Sequence, residues 1–211
     1  MEMDERNRSE IIKGAGFEER LIEKFDKIDI SKPENEEMLI NLVYILEQVA
    51  YEDESFVEKL FPEDNAMIQK MFMLMNHQNL KVFNPAVQVF THLIIGIDGS
   101  NQTKRVLDLG IISLFPSVLL KHGADIYSIL VMLVNLATLQ EGVQEITDVG
   151  LLEFVADYAK EGNSKVKREC VDLLNNMVLT GSHDDHDVMI GKGILSILDG
   201  LKRVYHGNTK V

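Results

Sequence analysis

The string His183-Asp184-Asp185-His186-Asp187 holds the residues of this 211-residue chain best suited to metal chemistry. Two imidazoles three residues apart share a helical turn, and with carboxylates between them they have the donor types for zinc. The competing expectation is a polar loop in which an Asp caps the helix that follows. His77, His92 and His122 each stand without an Asp directly after them, so further ligands for a catalytic metal are lacking. Cys170 is the single cysteine. It has no partner for an internal disulfide, which fits a reducing compartment, and on an amphipathic helix it is expected to pack rather than to attack. There is no Gly-rich phosphate loop and no Ser elbow flanked by Gly. The expectation is a chain that is not an enzyme, with no catalytic residue, metal or cofactor. A metal-dependent enzyme at His183 and His186 is the remote alternative.

Several polar residues interrupt apolar helical patterns. Asn135 breaks the run from Ile126 to Leu139. A buried amide without a partner costs about 1–3 kcal/mol, so Asn135 either meets a ligand, bonds back to its own helix or faces solvent. Asn176 poses the same question, with Asn175 beside it. Asp98 follows Gly96 at a helix end, where the helix dipole disfavours a carboxylate. It is either a ligand-facing acid or a cap for the turn Asp98-Gly99-Ser100. Glu169 and Asp172 are three apart and share a face. They repel unless a cation sits between them, so they mark either a basic ligand or a solvated face.

The elements that must position these residues read as helices. Leu39, Leu42, Val43, Leu46, Val49 and Ala50 keep i, i+3, i+4, i+7 spacing, as do Ile126, Ile129, Leu130, Leu133, Leu136 and Ala137. Period-2 alternation is not sustained anywhere, so the chain is all-α. Hydrophobic residues are 45% of the chain, which permits a packed core. Aromatics are 7% and Trp is missing, so Leu, Ile, Val and Met are expected to fill that core. Met67, Met71, Met73 and Met75 crowd one helix and are expected to fill core rather than to form a binding patch. The net charge of −13 argues against nucleic acid, which needs Lys and Arg clusters, and favours basic partners. The longest apolar stretch, 126–139, is shorter than the roughly 20 residues of a membrane helix, and the first residues lack the apolar centre of a secretory signal. No membrane partner is expected.

A phrase repeats along the chain: a short helix, a Gly, two apolar residues, then a second apolar helix. It reads Val106-Leu107-Asp108-Leu109-Gly110-Ile111-Ile112, then Ile146-Thr147-Asp148-Val149-Gly150-Leu151-Leu152, then Val188-Met189-Ile190-Gly191-Lys192-Gly193-Ile194-Leu195. Gly110, Gly150 and Gly193 are 40 and 43 residues apart. A weaker copy spans Ile11 to Phe17, and Asn65 stands where a further Gly belongs. Polar breaks such as Glu161-Gly162-Asn163-Ser164 follow, each leading into a longer helix. A short, middle and long helix in about 42 residues is the armadillo period. The expectation is a single domain over 1–211 with approximate repeats 9–51, 52–98, 99–139, 140–182 and an incomplete 183–211. Such units stack into an armadillo-repeat, right-handed superhelical solenoid whose long helices line a concave face.

The stretch from Asn84-Pro85-Ala86-Val87-Gln88 to Gly96-Ile97-Asp98 resembles the importin-alpha family. So do Gln102-Thr103-Lys104-Arg105-Val106, Leu114-Phe115-Pro116-Ser117 and Lys167-Arg168-Glu169-Cys170, through about Leu201. The similarity is to the C-terminal half of that family and is specific over 84–201. In the family, long helices carry a Trp and, four residues later, an Asn. The Asn holds the backbone of an extended peptide, the Trp rings make slots for Lys and Arg stems, and nearby acids take the cationic heads. The resemblance sets Asn135 and Asn176 at asparagine positions and Asp98 and Glu169 at groove acids. Val131, Asp172 and Tyr44 replace Trp; His92 stands where Asn is expected, and Gln48 lies four after Tyr44. It implies an adaptor for a basic, nuclear-localisation-signal-like peptide, working in nuclear import between cytoplasm and nucleus. The groove acids are expected along one peptide-length strip with Asn135 between them. Met1 to Glu10 is acidic rather than basic, so no direct importin-beta binding is expected. The alternative is an armadillo scaffold that grips another protein without signal recognition.

Overall fold

The structure is a computed structural model that describes residues 16–61, 66–95, 99–121 and 123–199. Asp98, Asn65, His122 and most of the repeat copy at 11–17 lie outside the described residues. Among the described residues there are helices and turns and no strand. The chain divides into two compact units, with the boundary after Gly99.

The first unit holds α1 (Phe17–Lys27), a 3-10 turn at Pro33–Asn35, α2 (Glu36–Glu52), α3 (Glu54–Leu60), α4 (Ala66–Leu74) and α5 (Leu80–Ile95). The second holds α6 (Gly99–Leu107), a 3-10 turn at Ile111–Leu114 and α7 (Phe115–Leu119). It continues with α8 (Ile126–Leu136), α9 (Gln140–Asp148), α10 (Leu151–Glu161), α11 (Ser164–Thr180) and α12 (His183–Gly191). Among the described residues the helices follow the expected order of short, middle and long in both units, starting with the middle helix α1. In the third repeat the middle helix is split: a 3-10 turn precedes α7, and Pro116 sits in the first turn of that helix, where its missing N–H costs nothing.

Glycine closes the short helices for a backbone reason. Gly110, Gly150 and Gly193 have φ of 71°, 77° and 71°. That left-handed region suits Gly, because any Cβ would crowd the following carbonyl. The polar breaks work as caps. Asn163 accepts from the Lys165 and Val166 amides at 3.0 and 3.1 Å, Asp125 from Ser128 at 3.1 Å and Asp53 from Ser55 at 2.9 Å. Each satisfies an amide that the helix start leaves without a partner, a contribution of about 1 kcal/mol.

Long helix packs on long helix in both units, α2 on α5 and α8 on α11. The core is built mostly of Leu, Ile, Val and Met, as expected, and phenylalanine joins it. Phe25, Phe56, Phe83, Phe90 and Phe115 are among the largest fully buried side chains. Six of the nine phenylalanines are buried, because a ring removes more apolar area from water than an aliphatic chain does. Met67, Met71 and Met75 are buried as expected, and Met73 is 53% exposed.

Candidate functional site

The packed pair α8 and α11 carries four of the residues singled out in the sequence. Asn135 lies on α8; Glu169, Asp172 and Asn176 lie on α11. Asn135 is half-buried, and its Nδ2 donates to the Val131 carbonyl one turn back at 2.8 Å. This is the back-bonded alternative. The Asn176 Nδ2 donates at 2.8 Å to the Val134 carbonyl on the neighbouring helix. At that end of α8 the Thr138 amide goes to Asn135 rather than to Val134. Asn176 therefore caps a helix-end carbonyl from across the pair. The unsatisfied carbonyl is a foreseeable feature of a helix end. Which side chain reaches it depends on the stacking of two repeats.

An asparagine amide has two donors and an acceptor. In both residues one N–H is used, and Oδ1 and the other N–H have no partner among the described residues. The acids are arranged unevenly. Arg168 Nε stands 3.7 Å from Asp172 Oδ2, an exposed i,i+4 pair. The cation expected between two repelling acids is thus supplied partly by the chain itself. Burial pushes the Glu169 carboxyl up, and the neighbouring Asp172 charge adds to the rise. A cationic ligand group beside it would reverse the second effect.

His92 belongs to the first unit. It is half-buried, and Tyr51 meets it edge-on with ring centroids 5.8 Å apart. Burial pushes its imidazole down, towards the neutral form. Tyr44 is 55% exposed, and Gln48 donates to the buried Glu47 carboxylate. The Tyr51–His92 contact carried no signal in the sequence, since the two are far apart along the chain.

The histidine string is not a loop. It forms the first turns of α12, where Ser182 accepts from the Asp185 amide and Asp185 accepts from the Ser182 amide in a reciprocal capping box. The Ser-x-x-Asp spacing was the available signal for it. The His186 ring lies 3.0 Å from the Val178 carbonyl, which makes Nε2 the protonated nitrogen. Among the described residues no group of three or more His, Cys, Asp or Glu is placed to hold a metal. Cys170 is 0% exposed, and burial pushes its thiol up to about 12. It is a packing residue with no thiolate at neutral pH. Among the described residues no helix is long and apolar enough to cross a membrane.

Stacked three-helix units of this kind define an all-α repeat solenoid. The particular class is the armadillo repeat, which comparison with solved structures bears out. A designed armadillo repeat protein in complex with the peptide (KR)4 matches with a TM-score of 0.66 and 18% identity, over 84% of this chain and 71% of that one. An engineered protein matches at 0.71 with 19% identity, over 90% and 74%. A computationally designed armadillo repeat protein for modular peptide recognition matches at 0.68 with 16% identity, over 84% and 71%. No protein-family model and no curated protein matches the chain. At these identities the likeness establishes the fold.

Proposed function

We propose that the chain is a non-enzymatic adaptor that holds an extended basic peptide against its long helices. Following the importin-alpha resemblance, that peptide is a nuclear-localisation-like signal, and the adaptor serves nuclear import between cytoplasm and nucleus. It binds no importin beta directly and uses no cofactor. The observation that carries this reading is the pair α8 and α11. Asn135 and Asn176 keep unused amide groups there, beside Glu169 and Asp172. An extended backbone offers matching donors and acceptors, and Lys or Arg heads meet the acids. The designed neighbour whose peptide is (KR)4 supports a basic ligand for such a fold. His92 and Asp98 are assigned the same kind of contact in the first unit. Without Trp at Tyr44, Val131 and Asp172, each missing cation–π slot removes about 0.5–2 kcal/mol, so binding is weak.

The second reading, a scaffold for another protein, is favoured by one observation. Asn176 and Asp172 already have partners within the chain, the Val134 carbonyl and Arg168. Titration of the full chain with (KR)4 and with a neutral peptide of equal length separates the two. The adaptor predicts (KR)4 binding that falls as salt rises towards 0.15 M, where screening acts over about 8 Å. The Glu169→Ala/Asp172→Ala double variant then loses about fivefold in affinity for (KR)4 and none for the neutral peptide. Asn135→Ala weakens both. Undiminished (KR)4 binding by the double variant at low salt leaves the scaffold reading in its place.

A further inference from the structure

The first long helix exposes a strip that its counterpart in the next repeat buries completely. α2 begins at Glu36 and α5 at Leu80, 44 residues later. At that spacing Met38, Leu42 and Ile45 correspond to Val82, Ala86 and Val89. The latter three are 0% exposed, with α2 packed on α5. Met38 and Ile45 are 44% and 39% exposed. The i, i+4, i+7 spacing puts the three on one face of α2. With Phe17 and Leu21 of α1 they line an apolar groove of about 430 Å³. Arg20 and Lys24 stand on the α1 side of it. Neither is in an ion pair among the described residues, whereas Lys27, Lys32 and Lys59 of the same unit each have a carboxylate. The Arg20 Nε is spent on the Gly16 carbonyl at 2.9 Å. In a chain of net charge −13, two such cations beside an exposed apolar strip mark the sign of what belongs there.

We propose that this groove docks an amphipathic helix of a partner protein, with an apolar stripe at i, i+3 or i+4, i+7 and Asp or Glu along its flank. The molecule itself supplies the pattern. The long helix packed on α5 is α2, which is mostly apolar, carries Glu36, Glu37, Glu47 and Glu52, and has no Lys or Arg. The strip from Met38 to Ile45 spans seven helical rises, about 10.5 Å, so the docked helix needs at least about two turns. Burial of Met38 and Ile45 supplies affinity, and Arg20 and Lys24 select the acidic flank. This site involves α1 and α2 and is independent of the peptide site assigned to α8 and α11.

The probe is a labelled synthetic peptide with the sequence of residues 36–52, tested by fluorescence anisotropy against the full chain. A second peptide has its four Glu replaced by Lys. The acidic peptide is expected to bind, and the basic one about tenfold more weakly, from two charge contacts at about 0.7 kcal/mol each. Ile45→Glu and Met38→Glu, at exposed positions, should each abolish binding with the helical circular dichroism unchanged. Lys24→Glu should remove the preference between the two peptides. The proposal is overturned if the acidic peptide does not bind, if both peptides bind equally, or if neither Ile45→Glu nor Met38→Glu weakens binding in a folded protein.

Discussion

The pairs α2 with α5 and α8 with α11 carry different side chains at matching repeat positions. On the first pair these are Tyr44 and Gln48, then Gln88 and His92. On the second they are Val131 and Asn135, then Asp172 and Asn176, with Glu169 alongside. The first strip is aromatic and neutral, and the second is amide-rich and acidic. The cores differ in the same direction. Four fully buried phenylalanines, Phe25, Phe56, Phe83 and Phe90, lie in the first unit, whereas the second is built on Leu, Ile, Val and one such ring, Phe115. A repeat backbone tolerates both chemistries because its helices depend on spacing and caps. Recognition can therefore change from repeat to repeat without a change of fold.

The largest effect that would test this contrast concerns the cores. Phe90 is 0% exposed and stacks on Phe61 with centroids 6.0 Å apart. Phe90→Ala should cost about 3–5 kcal/mol, against about 2–5 kcal/mol for Leu133→Ala in the second unit. Both are measurable in urea unfolding. A smaller loss for Phe90→Ala than for Leu133→Ala would show that the buried rings add nothing beyond the aliphatic packing of the first core. The amides give a smaller effect. Asn176→Ala removes the bond to the Val134 carbonyl and should cost about 1 kcal/mol of stability. Asn135→Ala removes only an intrahelical back-bond and should cost less. Equal losses would sink the assignment of Asn176 as a cap between helices.

The smallest effect is in the pH dependence, where the two units should respond with opposite signs. Burial lowers the His92 value in the folded chain. The unfolded chain then binds the extra proton first, so stability falls as pH drops below the ordinary imidazole value of about 6.5. Burial and Asp172 raise the Glu169 value. The folded chain then holds its proton longer, so stability falls as pH rises above the ordinary carboxylate value. Glu169→Gln should stabilise the chain by about 0.5 kcal/mol at neutral pH and by nothing in acid, while His92→Gln should flatten the acid loss. Thermal midpoints at several pH values check both. A stabilisation by Glu169→Gln that persists in acid would show that repulsion is not its cause.

Much of the fold was legible in the residues. Gly110, Gly150 and Gly193 mark turns that only a left-handed residue closes, and Asp125 and Asn163 stand where helix starts need acceptors. These are local requirements, met within a few residues of chain. The same local logic was available at Ser182 and Asp185, where an Asp cap was expected but the capping box with Ser182 was not read. The candidate site was less legible, because the type of a side chain does not say what it touches.

The sequence alone determined the helices, their order and the repeat, since capping, left-handed turns and 3.6-residue periodicity act between near neighbours. It also supplied the residues that we propose meet a basic peptide. Only the tertiary structure decided that Asn176 caps α8 and that Tyr51 covers His92. Tertiary packing likewise settled that Met38 and Ile45 stay exposed while Val82 and Val89 do not. The physical reason is that burial belongs to a pair of elements. The same apolar face is core where another helix lies on it and stays exposed where none does.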